Sequence, residues 1–355
     1  METEEYSILI EDFENIKVNL ENEIEKFKDK TILITGATGL IGSLLCKALF
    51  YISKNENLNI KLLAAVRDNK KVNEIFYLDR STEYSLINFI YCDISNNEFV
   101  KVVSNFQEID YIIHTASPTS SSYFTESPVE TINIIYQGTY NVLEVAKKFK
   151  VKSMVYISSM EVYGDIKTVE AFESDSGFLE TFSARSSYPQ AKRLAETLCF
   201  CFSHEYGVHV KVIRPTLVFG PGVRKEDNRV FMQMARSVLN NKNIELATDG
   251  STERDYIYTA DSCISILSIL LSSSKDFVYN ISNTETYTSV LNLAKLFAKR
   301  NKNISIILNT GDSKIYSGEK HIKLNTCRLE KIKSIKMTSI DTMIDRLLLW
   351  LKNIR

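Results

Sequence analysis

The chain has 355 residues, 44% of them hydrophobic and 25% charged, with a formal net charge of −1. This composition is ordinary for a globular protein with a full core, and it gives no reason to expect nucleic acid or a membrane surface as a partner. The first thirty residues lack an apolar signal-peptide segment, and no run of about 18 apolar residues occurs, so we expect a cytoplasmic protein.

The cysteine and histidine residues show no metal-ligand spacing. None of the six cysteines forms a CxxC pair, and the four histidines are scattered. We therefore expect reduced, buried thiols and no bound metal.

Residues 1–29 precede the main domain. Apolar residues recur there at intervals of three to five, which predicts an amphipathic helix over 4–28: Ile8, Phe13, Ile16, Leu20, Ile24 and Phe27. We expect it to pack on the main domain, and a dimer contact is the alternative.

From residue 30, apolar strands alternate with helices. Strands are expected in "KTILIT", "NIKLLAAV", "INFIYC", "IDYIIH", "VKSMVYI" and "HVKVIRPTLVFG", and helices in "SLLCKALFYIS", "GTYNVLEVAKKF" and "YPQAKRLAETLCFCF". This alternation predicts an α/β fold with a Rossmann-type, doubly wound parallel sheet over 30–220. It weakens over 221–355, which predicts a smaller C-terminal substrate-binding lobe with segments that return to the main domain.

A glycine-rich turn follows the first strand. Gly36, Gly39 and Gly42 stand between that strand and the next helix, where small residues let the backbone approach a pyrophosphate at the helix N-terminus. The turn therefore predicts a dinucleotide site. Further candidate contacts lie in the turn and at later strand ends: Thr38, Leu40, Ile41, Ile94, Thr115, Ala116, Ser117 and Pro215.

The end of the second strand bears on the choice of dinucleotide. Arg67 stands where NAD enzymes usually carry an acidic residue, and a guanidinium there suits a 2′-phosphate, so we favour NADP(H). The adjacent Asp68 keeps NAD(H) as the alternative. Asp93, after the third strand, is a candidate contact for the adenine.

Tyr188 and Lys192 stand at positions i and i+4 near a predicted helix start, so they face the same way. A cation beside a phenol lowers its pKa and makes tyrosine a usable acid/base. This pair predicts a proton-transfer site that follows the nucleotide-binding half of the sheet.

Several stretches together resemble the extended short-chain dehydrogenase/reductases, the NAD-dependent epimerase/dehydratase family of sugar-modifying enzymes. The resemblance runs from about residue 30 to the C-terminus. It rests on "TGATGLIG", "CDIS", "IIHTASP", "QGTYNVLE", "YISSMEVYG", "YPQAK", "RPTLVFGPG" and "ERDYIYTAD". The resemblance implies that Ser159 orients the reacting oxygen, that Tyr188 moves the proton, and that Lys192 also holds the nicotinamide ribose. It also implies a homodimer formed through the Tyr–Lys helix.

The reaction is less defined than the family. Glu161 matches a glutamate of dehydratases and glucuronate decarboxylases, as a base or as a hydroxyl-orienting group. Met160 stands where dehydratases with an Asp–Glu pair carry a proton donor, and where decarboxylases and GDP-mannose-type dehydratases carry a hydroxyl. Asn residues usual in the family are replaced by Leu217 and Ile135. We therefore expect an NADPH-dependent reductase of a phosphate-bearing ketosugar that serves surface-polysaccharide precursor synthesis. The alternatives are a 4,6-dehydratase, UDP-glucuronate decarboxylase or 4-epimerase with a recycled cofactor, and, remotely, a non-catalytic NAD(P)-sensing regulator.

Arginines are the candidate phosphate ligands. Arg229 and Arg254 match substrate-lobe arginines of the family, while Arg185 and Arg224 could equally be surface charges. The other candidate substrate contacts are Ser117, Ser159, Met160 and Glu161.

Overall fold

The computed structural model describes residues 4–76, 84–309 and 321–354. The strands of these residues are β1 (Thr31–Thr35), β2 (Lys61–Val66), β3 (Asn88–Tyr91), β4 (Tyr111–His114), β5 (Ser153–Ile157), β6 (Glu170–Ala171), β7 (Val210–Pro215), β8 (Leu217–Phe219), β9 (Ile244–Leu246), β10 (Glu253–Tyr258), β11 (Val278–Ile281), β12 (Asn283–Ser289), β13 (Ile306–Leu308) and β14 (His321–Leu324). The α-helices are α1 (Glu4–Asn19), α2 (Leu40–Asn55), α3 (Asn69–Phe76), α4 (Glu98–Val103), α5 (Ser121–Glu126), α6 (Pro128–Phe149), α7 (Ser187–Tyr206), α8 (Val230–Leu239), α9 (Thr259–Leu271), α10 (Val290–Ala298), α11 (Cys327–Ile332) and α12 (Ile340–Asn353).

The main sheet has seven strands in the order β11-β7-β5-β4-β1-β2-β3, and every pair is parallel. The strand order reverses between β1 and β4, and ligands of open α/β sheets bind at such a switch point. The predicted Rossmann-type α/β fold is therefore confirmed.

Helices cover both faces of this sheet. One apolar cluster joins it to α1, α2 and α9, and a second joins it to α4, α6 and α7. Strands β1, β4 and β5 are buried along their whole length, as expected of parallel strands covered on both faces.

Two smaller sheets form the C-terminal part. One has the order β12-β10-β14-β6, with β8 paired to β10, and the other pairs β13 with β9. The predicted strand at 253–258 is β10 itself, while β11 returns to the edge of the main sheet. Strand β10 is thus held beside β8, which directly follows β7 of the main sheet.

The N-terminal helix α1 packs against α9, α12 and α2. All thirteen residues of α9 are buried, because this helix lies between the sheet and α1. The Asp12 carboxylate accepts a hydrogen bond from the Tyr258 hydroxyl at 2.9 Å and another from Arg346 of α12. A 3₁₀ turn at Ile24–Phe27 then leads into β1, so the helical segment is divided rather than continuous over 4–28.

Three sequence expectations need correction. Helix α6 starts at Pro128 rather than near 138, because proline is favoured in the first helical turn. The expected sixth strand is two strands in different sheets, β7 and β8, separated by Thr216. Cys201 and Cys327 are exposed rather than buried, although all six thiols are unpaired.

Within the described ranges, no helix has the length and apolar character needed to cross a bilayer.

Candidate functional site

The glycine turn between β1 and α2 leaves no room for side chains. A Cβ on Gly36 would lie 2.7 Å from the Ala116 main chain, and one on Gly42 would lie 2.3 Å from the Gly36 carbonyl oxygen. Gly36 also has a φ of +69°, which glycine adopts readily. Thr115 Oγ1 donates to the Thr35 carbonyl at 2.7 Å and holds the end of β4 against this turn. Such a cradle at a helix N-terminus fits a dinucleotide pyrophosphate.

The adenosine end of this cradle is lined by charged groups after β2 and β3. Arg67 is 62% exposed, and its Nη1 lies 3.5 Å from Asp93 Oδ2. Asp68 Oδ1 instead accepts the main-chain N–H groups of Lys70 and Lys71 at the start of α3. Although burial raises the pKa of Asp93, hydrogen bonds from Ser95 and the charge of Arg67 hold it below its usual value. An exposed guanidinium and two carboxylates therefore meet where the adenosine ribose is expected.

The other predicted cofactor contacts divide between turn and strand ends. Ile94 is buried and would contact a Cβ at Gly138, and Pro215 ends β7. Ser117 Oγ donates to the Pro118 carbonyl at 3.1 Å. Thr38, Leu40 and Ile41 lie in the glycine turn and the first turn of α2.

The end of β5 turns sharply into a 3₁₀ helix at Met160–Tyr163. Ser159 caps this helix, since its Oγ accepts the Glu161 N–H at 3.2 Å. Met160 is buried, and its sulfur lies 3.5 Å from Thr216 Oγ1. The turn thus holds Ser159 and Glu161 at the carboxyl end of the sheet.

The start of α7 brings Tyr188 and Lys192 to the same place. Tyr188 is buried and stacks on Phe124 at a ring separation of 4.2 Å. Burial raises the pKa of the Tyr188 phenol above its ordinary value, which corrects the expectation that the neighbouring lysine lowers it. Lys192 Nζ donates to the Ile157 carbonyl at 2.7 Å, and burial lowers the pKa of this ammonium to about 7. The structure therefore brings Ser159, Tyr188 and Lys192 together, and the lowered pKa of the Lys192 ammonium lies near neutral pH.

Glu161 and Arg185 form a half-buried ion pair beside the catalytic group. Arg185 Nη2 lies 2.8 and 2.6 Å from the two carboxylate oxygens of Glu161. The guanidinium also lies 5.1 Å from the centre of the Phe124 ring. Because that ring stacks on Tyr188, the pair lies at the reacting end of the site.

The predicted phosphate ligands differ in what they contact. Arg229 forms an ion pair with Asp227, with an Nη2–Oδ2 distance of 2.7 Å, and donates a hydrogen bond to the Val218 carbonyl. Arg224 pairs with Glu74 and Glu226 on the surface. Arg254 Nε is buried, and it has no hydrogen-bond partner among the residues described. Arg254 is accordingly the arginine best suited to accept an anion.

Sequence reasoning missed several residues of the site. Phe124 gave no motif, because its role depends on stacking across α5 and α7. Buried His114 lies 2.7 Å from Thr35 Oγ1 and 3.2 Å from Thr139 Oγ1, and burial lowers its pKa to about 3, so it is neutral. The sequence signal that could have identified His114 is its position at the end of β4.

The fold and this group define an enzyme of the NAD-dependent epimerase/dehydratase type within the short-chain dehydrogenase/reductases. The profile of the NAD dependent epimerase/dehydratase family matches residues 32–282. The chain belongs to that family, and its predicted family and enzyme class are confirmed.

Relatives and a solved structure agree with this assignment. UDP-glucuronic acid decarboxylase 6 of Arabidopsis thaliana is 29% identical over 283 residues, which are 79% of this chain and 78% of that protein. UDP-glucuronic acid decarboxylase 1 of Xenopus tropicalis is 27% identical over 75% of this chain but only 59% of that protein. UDP-glucuronic acid 4-epimerase from Bacillus cereus, solved in complex with NAD, superposes with a TM-score of 0.72 and 21% identity over 91% of this chain and 99% of that chain. The epimerase shows the same fold.

Proposed function

We propose that this chain decarboxylates a nucleotide-linked glucuronate in a redox-neutral reaction, with UDP-glucuronate as the first substrate to test. The observation that carries the proposal is the Arg185–Glu161 ion pair beside Tyr188. A guanidinium at the reacting end of the site suits a sugar whose C5 substituent is a carboxylate, since arginine binds carboxylates in a bidentate geometry. The decarboxylases among the relatives support the same substrate class.

The roles of the residues follow from their positions. The bound dinucleotide would supply the hydride acceptor and later the donor. Tyr188 would take the C4 hydroxyl proton, with Ser159 hydrogen-bonded to the same oxygen and Lys192 favouring the phenolate. With C4 oxidised, the C5 carboxylate belongs to a β-keto acid. Its bond to C5 breaks, CO₂ leaves, and the electron pair moves to an enolate oxygen beside Tyr188. C5 then takes up one proton from solvent, which restores the C4 ketone, and Tyr188 would return its proton to the C4 oxygen when that carbon is reduced again.

Met160 bears on the choice between dehydration and decarboxylation. A dehydratase needs a proton donor to expel water, and the buried thioether beside Thr216 cannot supply one. Loss of CO₂ needs no proton on the leaving group, so Met160 does not oppose decarboxylation. The comparisons favour this recycled-cofactor alternative over the net reductase that the sequence suggested.

The cofactor would be retained through the cycle. The epimerase neighbour was solved with NAD, and Arg67 is the feature of this chain that accommodates the 2′-phosphate of NADP. The diphosphate of the sugar nucleotide would contact Arg254, whose buried Nε has no partner within the ranges described.

The direct test is to incubate the protein with UDP-glucuronate and follow CO₂ release, product mass and cofactor absorbance together. We expect one CO₂ per UDP-pentose formed, with no net change in the cofactor. A product of unchanged mass would identify a 4-epimerase, and stoichiometric oxidation of NADPH with a ketosugar would identify a reductase. Either result would overturn the proposal.

A homodimer through α6 and α7 is the assembly that the surface supports. These helices pack against each other, and α6 presents an exposed apolar stripe of Val129, Ile132, Tyr136 and Tyr140. Their spacing of three and four residues puts them on one face, and exposed apolar patches of this kind mark interaction sites.

A further inference from the structure

A buried carboxylate lies one helical turn beyond Lys192. Glu196 follows it by four residues on α7, so both side chains lie on one face of the helix. Glu196 is 8% exposed. Arg214 of β7 donates to its two oxygens at 3.0 and 2.6 Å, and the Ser158 hydroxyl donates to Oε1. The carboxylate is therefore fixed from two strands.

The partners of Lys192 and Glu196 are consecutive residues. Lys192 Nζ donates to the carbonyl of Ile157, and Ser158, the next residue, donates to Glu196. Helix α7 is thus tied to the end of β5 at two points one turn apart. This end of β5 leads directly to Ser159, so the same ties set the distance between Ser159 and the Tyr–Lys helix.

The surroundings of Lys192 would otherwise favour its neutral form. Burial lowers the pKa of its ammonium, and the Glu196 carboxylate acts in the opposite direction. The ionisable and charged groups facing this pocket come from three strands and α7 itself: His114 of β4, Tyr156 of β5, Arg214 of β7, and Tyr188, Glu196 and Cys199 of α7. His114 adds no positive charge, because burial lowers its pKa to about 3. Glu196 supplies the carboxylate among these side chains, and Arg214 is its ion-pair partner.

We propose that Glu196, anchored by Arg214 and Ser158, is a positioning residue that ties the Tyr–Lys helix to the end of β5 and so holds Lys192 at the nicotinamide ribose, with a carboxylate one helical turn away. The inference rests on the roles assigned to Tyr188 and Lys192 in the proposed function and not on the identity of the sugar. A role confined to folding would lower the stability of the protein without changing cofactor binding by the folded chain, so the pH dependence of that binding is the property to measure.

The test is the affinity for NADH, followed by fluorescence between pH 5.5 and 9.5 without any sugar. NADH is an anion, so a protonated Lys192 favours its binding. The wild type should bind NADH less tightly above the Lys192 midpoint, and this step should be missing in Lys192→Met. In Glu196→Gln the midpoint should fall by about one pH unit, because the fixed negative charge is lost. Glu196→Asp should restore it in part, and Glu205→Gln, on an exposed residue of the same helix, should leave it unchanged.

The outcomes separate this inference from the proposed function. A Glu196→Gln midpoint equal to that of the wild type would overturn the positioning role, as would a wild type without any step. If Glu196→Gln fails to fold because Arg214 lacks its partner, the double variant Glu196→Gln/Arg214→Gln should have a lower midpoint than Arg214→Gln alone, because these two variants differ only in the Glu196 carboxylate. Failure to decarboxylate UDP-glucuronate, with the NADH result intact, would remove the substrate assignment alone.

Discussion

Arg185 binds Glu161 through both carboxylate oxygens, at 2.8 and 2.6 Å, while its guanidinium rests on the ring that stacks against Tyr188. The two side chains are 31% and 34% exposed, so a ligand can reach them. A uronate carboxylate would compete with Glu161 for the guanidinium. Binding of the substrate and release of Glu161 would then be one event.

Arg185 should therefore decide the preference for an acidic sugar. We expect Arg185→Met to lower kcat/KM for UDP-glucuronate by about 10- to 100-fold, the loss typical of a hydrogen bond to a charged group. Binding of the dinucleotide should be unchanged, and Arg185→Lys should recover part of the loss. Steady-state kinetics would measure this, with Arg224→Met as the control because, within the described residues, Arg224 pairs with the surface carboxylates of Glu74 and Glu226. Equal effects of the two methionine variants would contradict the role.

Substitutions at two glycines of the β1–α2 turn should have different effects, one on stability and the other on dinucleotide binding. A methyl group at Gly42 would lie 2.3 Å from the Gly36 carbonyl oxygen, so Gly42→Ala should destabilise the fold by about 1–3 kcal/mol, as overpacking does. At Gly39 the nearest atom is 3.2 Å away. Gly39→Ala should leave stability nearly intact and weaken dinucleotide binding, because the pyrophosphate approaches this backbone. Urea unfolding would measure the stability of both variants, and NADH titration would measure their dinucleotide binding. A loss of stability in Gly39→Ala without one in Gly42→Ala would contradict this prediction.

Arg67 should set the tolerance for a 2′-phosphate. Its guanidinium is exposed and forms a 3.5 Å ion pair with Asp93. We expect Arg67→Ala to weaken NADP binding about tenfold, within the range for a charge-assisted hydrogen bond, and to change NAD binding less than twofold. Lys71→Ala, a charge change on the neighbouring helix, is the matched control. Parallel losses for both dinucleotides would show that Arg67 does not recognise the phosphate.

Several elements of the molecule were predictable because their signals are local. The glycine turn, the Tyr188–Lys192 spacing and the strand at 253–258 each depend on a few adjacent residues, and the structure has them where the pattern put them. The contacts of Arg185 and Glu196 were not predictable, because they join segments 24 and 18 residues apart. The break between β7 and β8 was also not predictable, since both strands are apolar. They differ in their partners, because β8 pairs with β10 while β7 pairs with β5.

Lys192 should make the stability of the protein pH-dependent. Burial lowers its pKa from an ordinary value of 10.5 to about 7 in the folded state. Between these two values the unfolded chain binds more protons, so the free energy of unfolding should rise with pH, by at most about 1.4 kcal/mol per unit. The difference between wild type and Lys192→Met in urea unfolding, measured from pH 7 to 10, isolates this contribution from other groups. A difference that stays constant with pH would show that Lys192 is not titrating in this window.

The apolar stripe on α6 should be the core of the dimer. Ile132 and Tyr136 are 43% and 38% exposed in the single chain, and a charge at either position would be buried without a partner on association. We expect Tyr136→Glu to weaken dimerisation by about 100-fold or more, since an unpaired buried charge costs several kcal/mol. Sedimentation equilibrium would measure this, and the variant should still bind NADH because its own fold is not altered. Val18→Glu, at an exposed apolar residue of α1, should remain dimeric. If Val18→Glu dissociates and Tyr136→Glu does not, the interface lies on α1, the alternative that the sequence left open.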